Sequence, residues 1–334
     1  MKDKIIIAVD AMGGDNSPKK VIDGIIDHSK NNNNIFYKIF GDIGQIEKLL
    51  PSKFDKNIYE IIHTDEKVLD NDSALEGAKK SKKTSMWLAV ESVKNNKSDI
   101  VISAGNTGAL FVISKLNFKM IENIDKPALS GLWPNKSGMN IVLDLGANID
   151  CSEKNLIDFC IMGSSLYKSL YPGEKTKVAL LNIGSEDIKG HEVLRSVYQK
   201  LNSRDDFDFE FKGYIEGNQI MDGNVNVIVT DGFTGNIALK TAEGTANFIT
   251  KEIKKNMTSG IIGKILTLLN YKNLMNFKKR LDPRLYNGAI FIGLNSPVIK
   301  SHGSTDHIGF SHSLNVCKKI VEGDLINKIR SNIK

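Results

Sequence analysis

Cysteine is scarce: Cys151, Cys160 and Cys317 are the only three in 334 residues. No CxxC pair or Cys/His ligand spacing joins them, which excludes a disulfide framework and points to a reducing compartment. Long apolar runs are missing too, and no stretch approaches membrane-spanning length. Met1-Lys2-Asp3-Lys4 leads directly into a strand-like segment, without the apolar core or cleavage site of a secretion signal, so the expected compartment is the cytoplasm. Aromatic residues make up only 7% of the chain, are hardly interleaved with its lysines, and accompany no nucleic-acid motif, so no nucleic-acid partner is expected. GxGxxG and GxxxxGK[ST] are absent, which removes the standard dinucleotide fingerprint and the P-loop. Internal repeats and low-complexity linkers are missing as well.

What is present is an ordinary globular composition, 41% hydrophobic, with a net charge of +6 carried mainly by dispersed lysine. Such a charge favours an acidic partner, an anionic substrate or an anionic membrane surface without choosing among them. Short β-branched runs alternate with segments of helical periodicity. The runs are 5–9, 37–40, 59–62, 100–102, 141–143, 178–181, 209–211 and 225–229, and the spacing predicts βαβ units in a mostly parallel, helix-flanked sheet.

Five runs end in the same kind of tip: "DAMGGDNSP" after Val9, "SAGNTG" after Ile102, "DLGANID" after Leu143, "NIGSEDIKG" after Leu181 and "TDGFTGN" after Val229. One such tip is ordinary turn chemistry. Five together predict a ligand crevice along a single edge, where the carboxyl ends of parallel strands collect. Glycine lets backbone come close, and helix N-termini offer unpaired N–H groups to an anion.

The blocks "IAVDAMGGDNSP" (7–18), "SAGNTGAL" (103–110), "LDLGAN" (143–148), "LLNIG" with "IKG" (180–190), "TDGFTGNIALKTAEGTA" (230–246) and "PVIKSHGSTD" (297–306) resemble, in order, those of the bacterial PlsX family. These are phosphate acyltransferases of phospholipid synthesis. The resemblance implies a three-layer αβα Rossmann-like fold akin to phosphotransacetylases and the isocitrate dehydrogenase group, in one domain over 1–334 with a helical protrusion at about 247–282. It implies that inorganic phosphate attacks the thioester of a long-chain acyl group on acyl carrier protein, giving acyl phosphate and free carrier. It also implies a homodimer, no metal, no redox cofactor, and a downstream glycerol-3-phosphate acyltransferase as a further partner. The chain departs from the family pattern at Lys79, Lys80 and Lys83, where an arginine pair and an aspartate are expected, and at His191, where asparagine is usual.

Phosphate is itself a nucleophile, so this transfer needs positioning and oxyanion stabilisation more than an enzyme nucleophile. Ser103, Thr107 and Thr234, the amides Asn106, Asn148, Asn182 and Asn236, and the backbone N–H groups of Gly105, Gly108 and Gly235 are the groups expected to hold oxygens. Lys189, which aligns with a family lysine, is the expected compensating cation. His302 either protonates the leaving thiolate, oriented by Asp306 or Asp231, or caps the next helix. Asp10, Asp15, Asp144 and Asp231 read as turn-capping or orienting carboxylates rather than a magnesium site, and Cys151 reads as a structural thiol.

Ile261, Ile262, Ile265, Leu266 and Leu269 form one wide helical stripe with lysines around it. The pattern fits peripheral contact with an anionic membrane surface, a helix pair in a dimer, or both. Two rival functions differ in what they require. An NAD-dependent decarboxylating dehydrogenase of similar architecture needs arginines for a di-acid and clustered aspartates for a metal. A scaffold bridging carrier protein and membrane does not need five polar tips.

Overall fold

The computed structural model describes residues 4–173, 175–280 and 282–333, without the side chains at 261, 262, 264–266 and 276–280. In the first half of the chain, β1 (Ile5–Asp10), α1 (Lys19–Ser29), β2 (Ile35–Gly41), α2 (Ile43–Glu47), β3 (Tyr59–His63), α3 (Ala74–Lys79), α4 (Ser85–Lys94), β4 (Ile100–Ser103) and α5 (Thr107–Asn117) follow one another. The middle carries β5 (Ala128–Pro134), β6 (Met139–Leu143), α6 (Glu153–Leu170), β7 (Lys177–Leu181), α7 (Glu192–Asn202), β8 (Glu210–Ile215) and β9 (Val227–Val229). A helical stretch comes next, α8 (Gly232–Met257), α9 (Gly260–Leu269) and α10 (Tyr271–Arg280), and the chain closes with β10 (Ala289–Ile292), β11 (Val298–Lys300), α11 (His307–Glu322) and α12 (Leu325–Asn332).

All eleven strands lie in one sheet, ordered β3-β2-β1-β4-β11-β10-β5-β6-β9-β7-β8. Alternate strand residues face opposite helix layers, as the two-residue period of a strand requires. Ile7, Val9, Ile102, Ile141, Leu180, Val229 and Ile299 join one continuous core with α1, α6, α7, α11 and α12. On the other face the core is divided. Ala8, Val101 and Val298 pack with α4 and α5, whereas Val142, Ala179 and Ile228 pack beneath Ala238, Leu239 and Ala242 of α8. The result is the three-layer arrangement the sequence predicts, with a discontinuity on one face between its two halves.

The sheet is mostly parallel, as expected, but its parallel strands fall into two opposed sets. β3, β2, β1, β4 and β11 are mutually parallel. β10 is antiparallel to both β11 and β5, and β5 is antiparallel to β6. β6, β9, β7 and β8 are again parallel to one another. Following the pairings across the sheet, this second set runs opposite to the first. The five glycine-rich tips therefore do not share one edge: those after β1 and β4 lie at one end of the strands, and those after β6, β7 and β9 lie at the other.

Candidate functional site

The first edge collects the tips of β1, β4 and β11 around Asp10, a nearly inaccessible carboxylate. It accepts hydrogen bonds from Ser85 Oγ and Ser103 Oγ, each at 2.6 Å, and from the Met12 backbone N–H at 3.2 Å. Burial raises its pKa, the two serine hydroxyls oppose the shift, and Lys300 pulls the same way as they do. Ser103 Oγ also accepts the Gly105 N–H at 3.0 Å. Asn106 caps α5 by accepting the Ala109 N–H at 2.9 Å, and its amide donates to the carbonyls of Asp70 and Asp72. Thr107 stays exposed at the start of α5.

His302 follows β11 at this edge. Neither expected orienting carboxylate reaches its ring. Asp306 caps α11 through the Gly309 N–H at 3.1 Å and pairs with Arg284 Nη1 at 2.8 Å. Asp231 caps α8 at the other edge. The His302 ring instead meets Ser304, whose Oγ is 3.0 Å from Nδ1. Partial burial lowers the imidazole pKa, and the Lys300 ammonium lowers it further. The ring is thus a neutral hydrogen-bonding group near pH 7. Glu243 and Lys240 of α8 also act on it, because that helix starts at the second edge and runs back toward the first.

The second edge is built on Asp144, fully buried, which gathers five donors: the N–H groups of Leu129, Gly146, Ala147 and Asn148 and the Asn148 amide, at 2.8–3.1 Å. The same Asn148 amide donates to the Pro127 carbonyl at 2.7 Å. Asp231 accepts the Thr234 N–H and hydroxyl, each at 2.8 Å, and its carbonyl takes the Gly235 N–H at 2.9 Å. Asn182 accepts the Ile183 N–H and donates to the Lys189 carbonyl. Lys189 and Asn236 are both exposed, Asn236 on the first turn of α8 beside Gly146. Five large apolar side chains stand exposed around them: Ile149, Ile183, Ile188, Phe233 and Ile237.

The sequence-selected residues thus fall into two groups. Ser103, Gly105, Asn106, Thr107 and His302 stand at one edge, and Asn148, Asn182, Lys189, Thr234, Gly235 and Asn236 at the other. Several oxygen-holding groups are already engaged within the protein, namely Ser103, Asn106, Asn148, Asn182, Thr234 and the Gly105 and Gly235 N–H groups. Lys189, Asn236, Thr107 and His302 keep solvent access. The proposed membrane residues Ile261, Ile262, Ile265 and Leu266 lie outside the described side chains, and Leu269 is 79% exposed. No helix among the described residues is long and apolar enough to cross a membrane. No group of three or more His, Cys, Asp or Glu is disposed to hold a metal ion, again among the described residues. Burial pushes the Cys151 thiol up to about 11, away from thiolate chemistry at neutral pH.

The sequence reading passed over Lys20 and Lys300, two lysines only 4% and 8% exposed at the first edge. Lys20 reads as a surface residue of an amphipathic helix and carries no warning in the sequence. Lys300 carried one: it ends the apolar run Val298-Ile299 at the point where a buried parallel strand opens into a glycine-containing tip.

Solved structures share this architecture. A phosphotransacetylase from Streptococcus pyogenes superposes with a TM-score of 0.64 at 16% identity, covering 98% of this chain and 95% of that one. A branched-chain phosphotransacylase from Enterococcus faecalis V583 gives 0.58 at 13% identity, covering 95% and 99%. At these identities the likeness establishes the fold, an α/β three-layer sheet of the phosphotransacylase kind. The family model described as "Fatty acid synthesis protein" matches residues 5–328, and the chain belongs to that family. It is 72% identical over 331 residues to a protein named phosphate acyltransferase from Pelagibacter ubique (strain HTCC1062), covering 99% of both chains. The phosphate acyltransferase of Paramagnetospirillum magneticum is 40% identical over 332 residues, covering 99% of this chain and 94% of that one.

Proposed function

We propose that the chain is a phosphate acyltransferase that moves a long-chain fatty acyl group from the thioester of acyl carrier protein to inorganic phosphate. A phosphate oxygen forms the new bond to the carbonyl carbon, the carbon–sulfur bond breaks, and the carrier thiolate leaves with a proton. Acyl phosphate then serves phospholipid synthesis. The observation that carries the reading is the 72% identity, across 99% of both chains, to a protein of that name. The raised thiol pKa of Cys151 supports direct attack by phosphate over an acyl-cysteine intermediate.

Lys189 and Asn236 are the exposed cation and amide of one half of the reaction site, and His302 with the Ser103–Thr107 tip belongs to the other half. The chain acts as one domain with a helical protrusion at about 247–282, as a homodimer, in the cytoplasm and in reversible contact with anionic membrane. Support for the dimer comes from α8. Phe233, Ile237 and Phe248 are 59%, 50% and 65% exposed. At 100° per residue they fall within about 60° of one another, on the side away from Ala238, Leu239 and Ala242.

The test combines purified protein, long-chain acyl carrier thioester and phosphate, and follows acyl phosphate and free carrier thiol. Equal, phosphate-dependent release of both is expected, with no requirement for nicotinamide. Thiol release without acyl phosphate identifies a thioesterase and overturns the reading.

A further inference from the structure

We propose that Lys20 and Lys300 form an oxyanion subsite at the first edge that takes one inorganic phosphate at the tips of β1, β4 and β11. The inference rests on the acyl-transfer reading and names the cations that position its nucleophile.

The two ammonium groups come from different elements, α1 and β11, and each is held by backbone carbonyls of the tips after β4 and β11. Lys20 Nζ donates to the Gly303 carbonyl. Lys300 Nζ donates to the Ser301 carbonyl at 2.5 Å and reaches the Ala104 carbonyl at 3.4 Å. Gly14, at φ +81°, is what leaves room here: a Cβ on it would stand 2.6 Å from the Ala104 oxygen, 2.7 Å from Lys20 Nζ and 3.0 Å from the Gly303 oxygen. A lysine carries three N–H donors, so the contacts made use one of Lys20's and two of Lys300's, and the other three point to no protein partner among the described residues.

Charge is not paired by direct contact in the same place. Removing an ammonium from water is costly unless an opposite charge compensates it, and two ammoniums side by side repel. Neither lysine forms an ion pair among the described residues. The charged groups around them are Asp10 on β1, Asp15 and Asp70 in loops, and His302 after β11, with Lys240 and Glu243 of α8 beyond it. Asp10 is the buried member, yet its oxygens are taken by Ser85, Ser103 and Met12. Asp15 and Asp70 act on Lys20 only through space. Burial, followed by the Lys20 charge, brings the Lys300 pKa down to about 8. A phosphate dianion supplies the direct anionic contact that both ammoniums lack and enough oxygens to reach the two of them, beside the neutral His302 ring.

The experiment uses full-length Lys20→Met, Lys300→Met and Lys300→Arg proteins and two readouts: KM for phosphate in acyl transfer, and the rise in Tm on adding inorganic phosphate. The methionine variants keep the buried stem and lose a desolvated charge, so they are expected to fold. Their phosphate KM is expected to rise by about ten- to hundredfold, as for a lost charge-assisted contact, with KM for the acyl carrier thioester within about twofold. The phosphate-dependent rise in Tm disappears with it. In the wild type, phosphate KM climbs above pH of about 8, as Lys300 loses its proton. The arginine variant, charged throughout, removes that climb. Methionine variants whose basal Tm moves while phosphate KM and phosphate stabilisation stay unchanged overturn the subsite and leave the lysines as loop fasteners. Wild-type protein that phosphate stabilises through these lysines, but that makes no acyl phosphate, overturns the acyl-transfer reading and supports the subsite.

Discussion

Gly235 sits where the first turn of α8 presses against the loop after β6. A Cβ built there would stand 1.9 Å from the Asp144 carbonyl oxygen and 3.0 Å from the carbonyl carbon. Both belong to backbone that the five donors to the Asp144 carboxylate hold in place, so no side-chain rotation relieves the clash. Gly235→Ala is therefore expected to cost about 3 kcal/mol, at the upper end for a forced core insertion. In a chain of this size that corresponds to a Tm lowered by about 4 °C. Acyl transfer falls as well, because Asn236 moves with the displaced turn. A thermal melt within a degree of wild type would show that the turn is looser than its geometry requires. The same crowding explains why the residue types at the strand tips were legible in the sequence while their duties were not. Asparagine, serine and threonine serve equally to bind a ligand oxygen and to satisfy a neighbouring N–H or carbonyl. At Asn106, Asn148 and Asn182 the nearer groups are backbone carbonyls, of Asp72, Pro127 and Lys189.

Among the elements, the eight strand-like runs in the sequence are strands, because Val and Ile alternate against two apolar faces. Three further strands carry weaker signals. β5 reads Ala-Leu-Ser-Gly-Leu-Trp-Pro, with residues that usually mark turns, and β10 and β11 are four and three residues long between glycine, asparagine and proline. These strands decide the geometry: β10 and β5 reverse the second half of the sheet and divide the five tips between two ends. No local pattern announces such a reversal, since it depends on which strands pair far along the chain. α9 belongs to this scale too. Leu268 and Leu269 are 73% and 79% exposed at its end, and Lys272 follows one residue into α10. Exposed leucines beside lysine suit an anionic bilayer interface. Leu268→Asp with Leu269→Asp is expected to lower flotation with phosphatidylglycerol vesicles at least tenfold, with acyl transfer from soluble carrier retained. Unchanged flotation would move the membrane contact elsewhere on the molecule.

For the whole molecule, the reversal poses a distance problem. Lys189 and Asn236 stand at the carboxyl ends of β7 and β9, and Lys20, Lys300 and His302 at the carboxyl ends of β1 and β11, which point the other way. Strands of about five residues separate the two ends by roughly 17 Å, and the intervening strands add lateral separation. A phosphate attacking a thioester spans only a few ångströms, so the two edges must be joined either along α8, whose Lys240 and Glu243 act on His302, or by a second protomer. The proposed dimer resolves this if the second edge of one copy faces the first edge of the other. The exposed apolar residues favour that arrangement, since Ile149, Ile183, Ile188, Phe233 and Ile237 cluster at the second edge and continue along α8 to Phe248. Co-expression tests it. Lys189→Ala and Lys300→Met proteins are each expected to be nearly inactive as homodimers. A heterodimer rebuilds one intact site from the unaltered edges of its two chains. Random pairing at equal levels makes half the dimers heterodimers with one working site of two, so about a quarter of wild-type activity returns. If each site lies within one protomer, every chain in the mixture carries a lesion and activity stays at the level of the separate variants. That outcome would place the whole reaction site within one protomer, with α8 joining its edges.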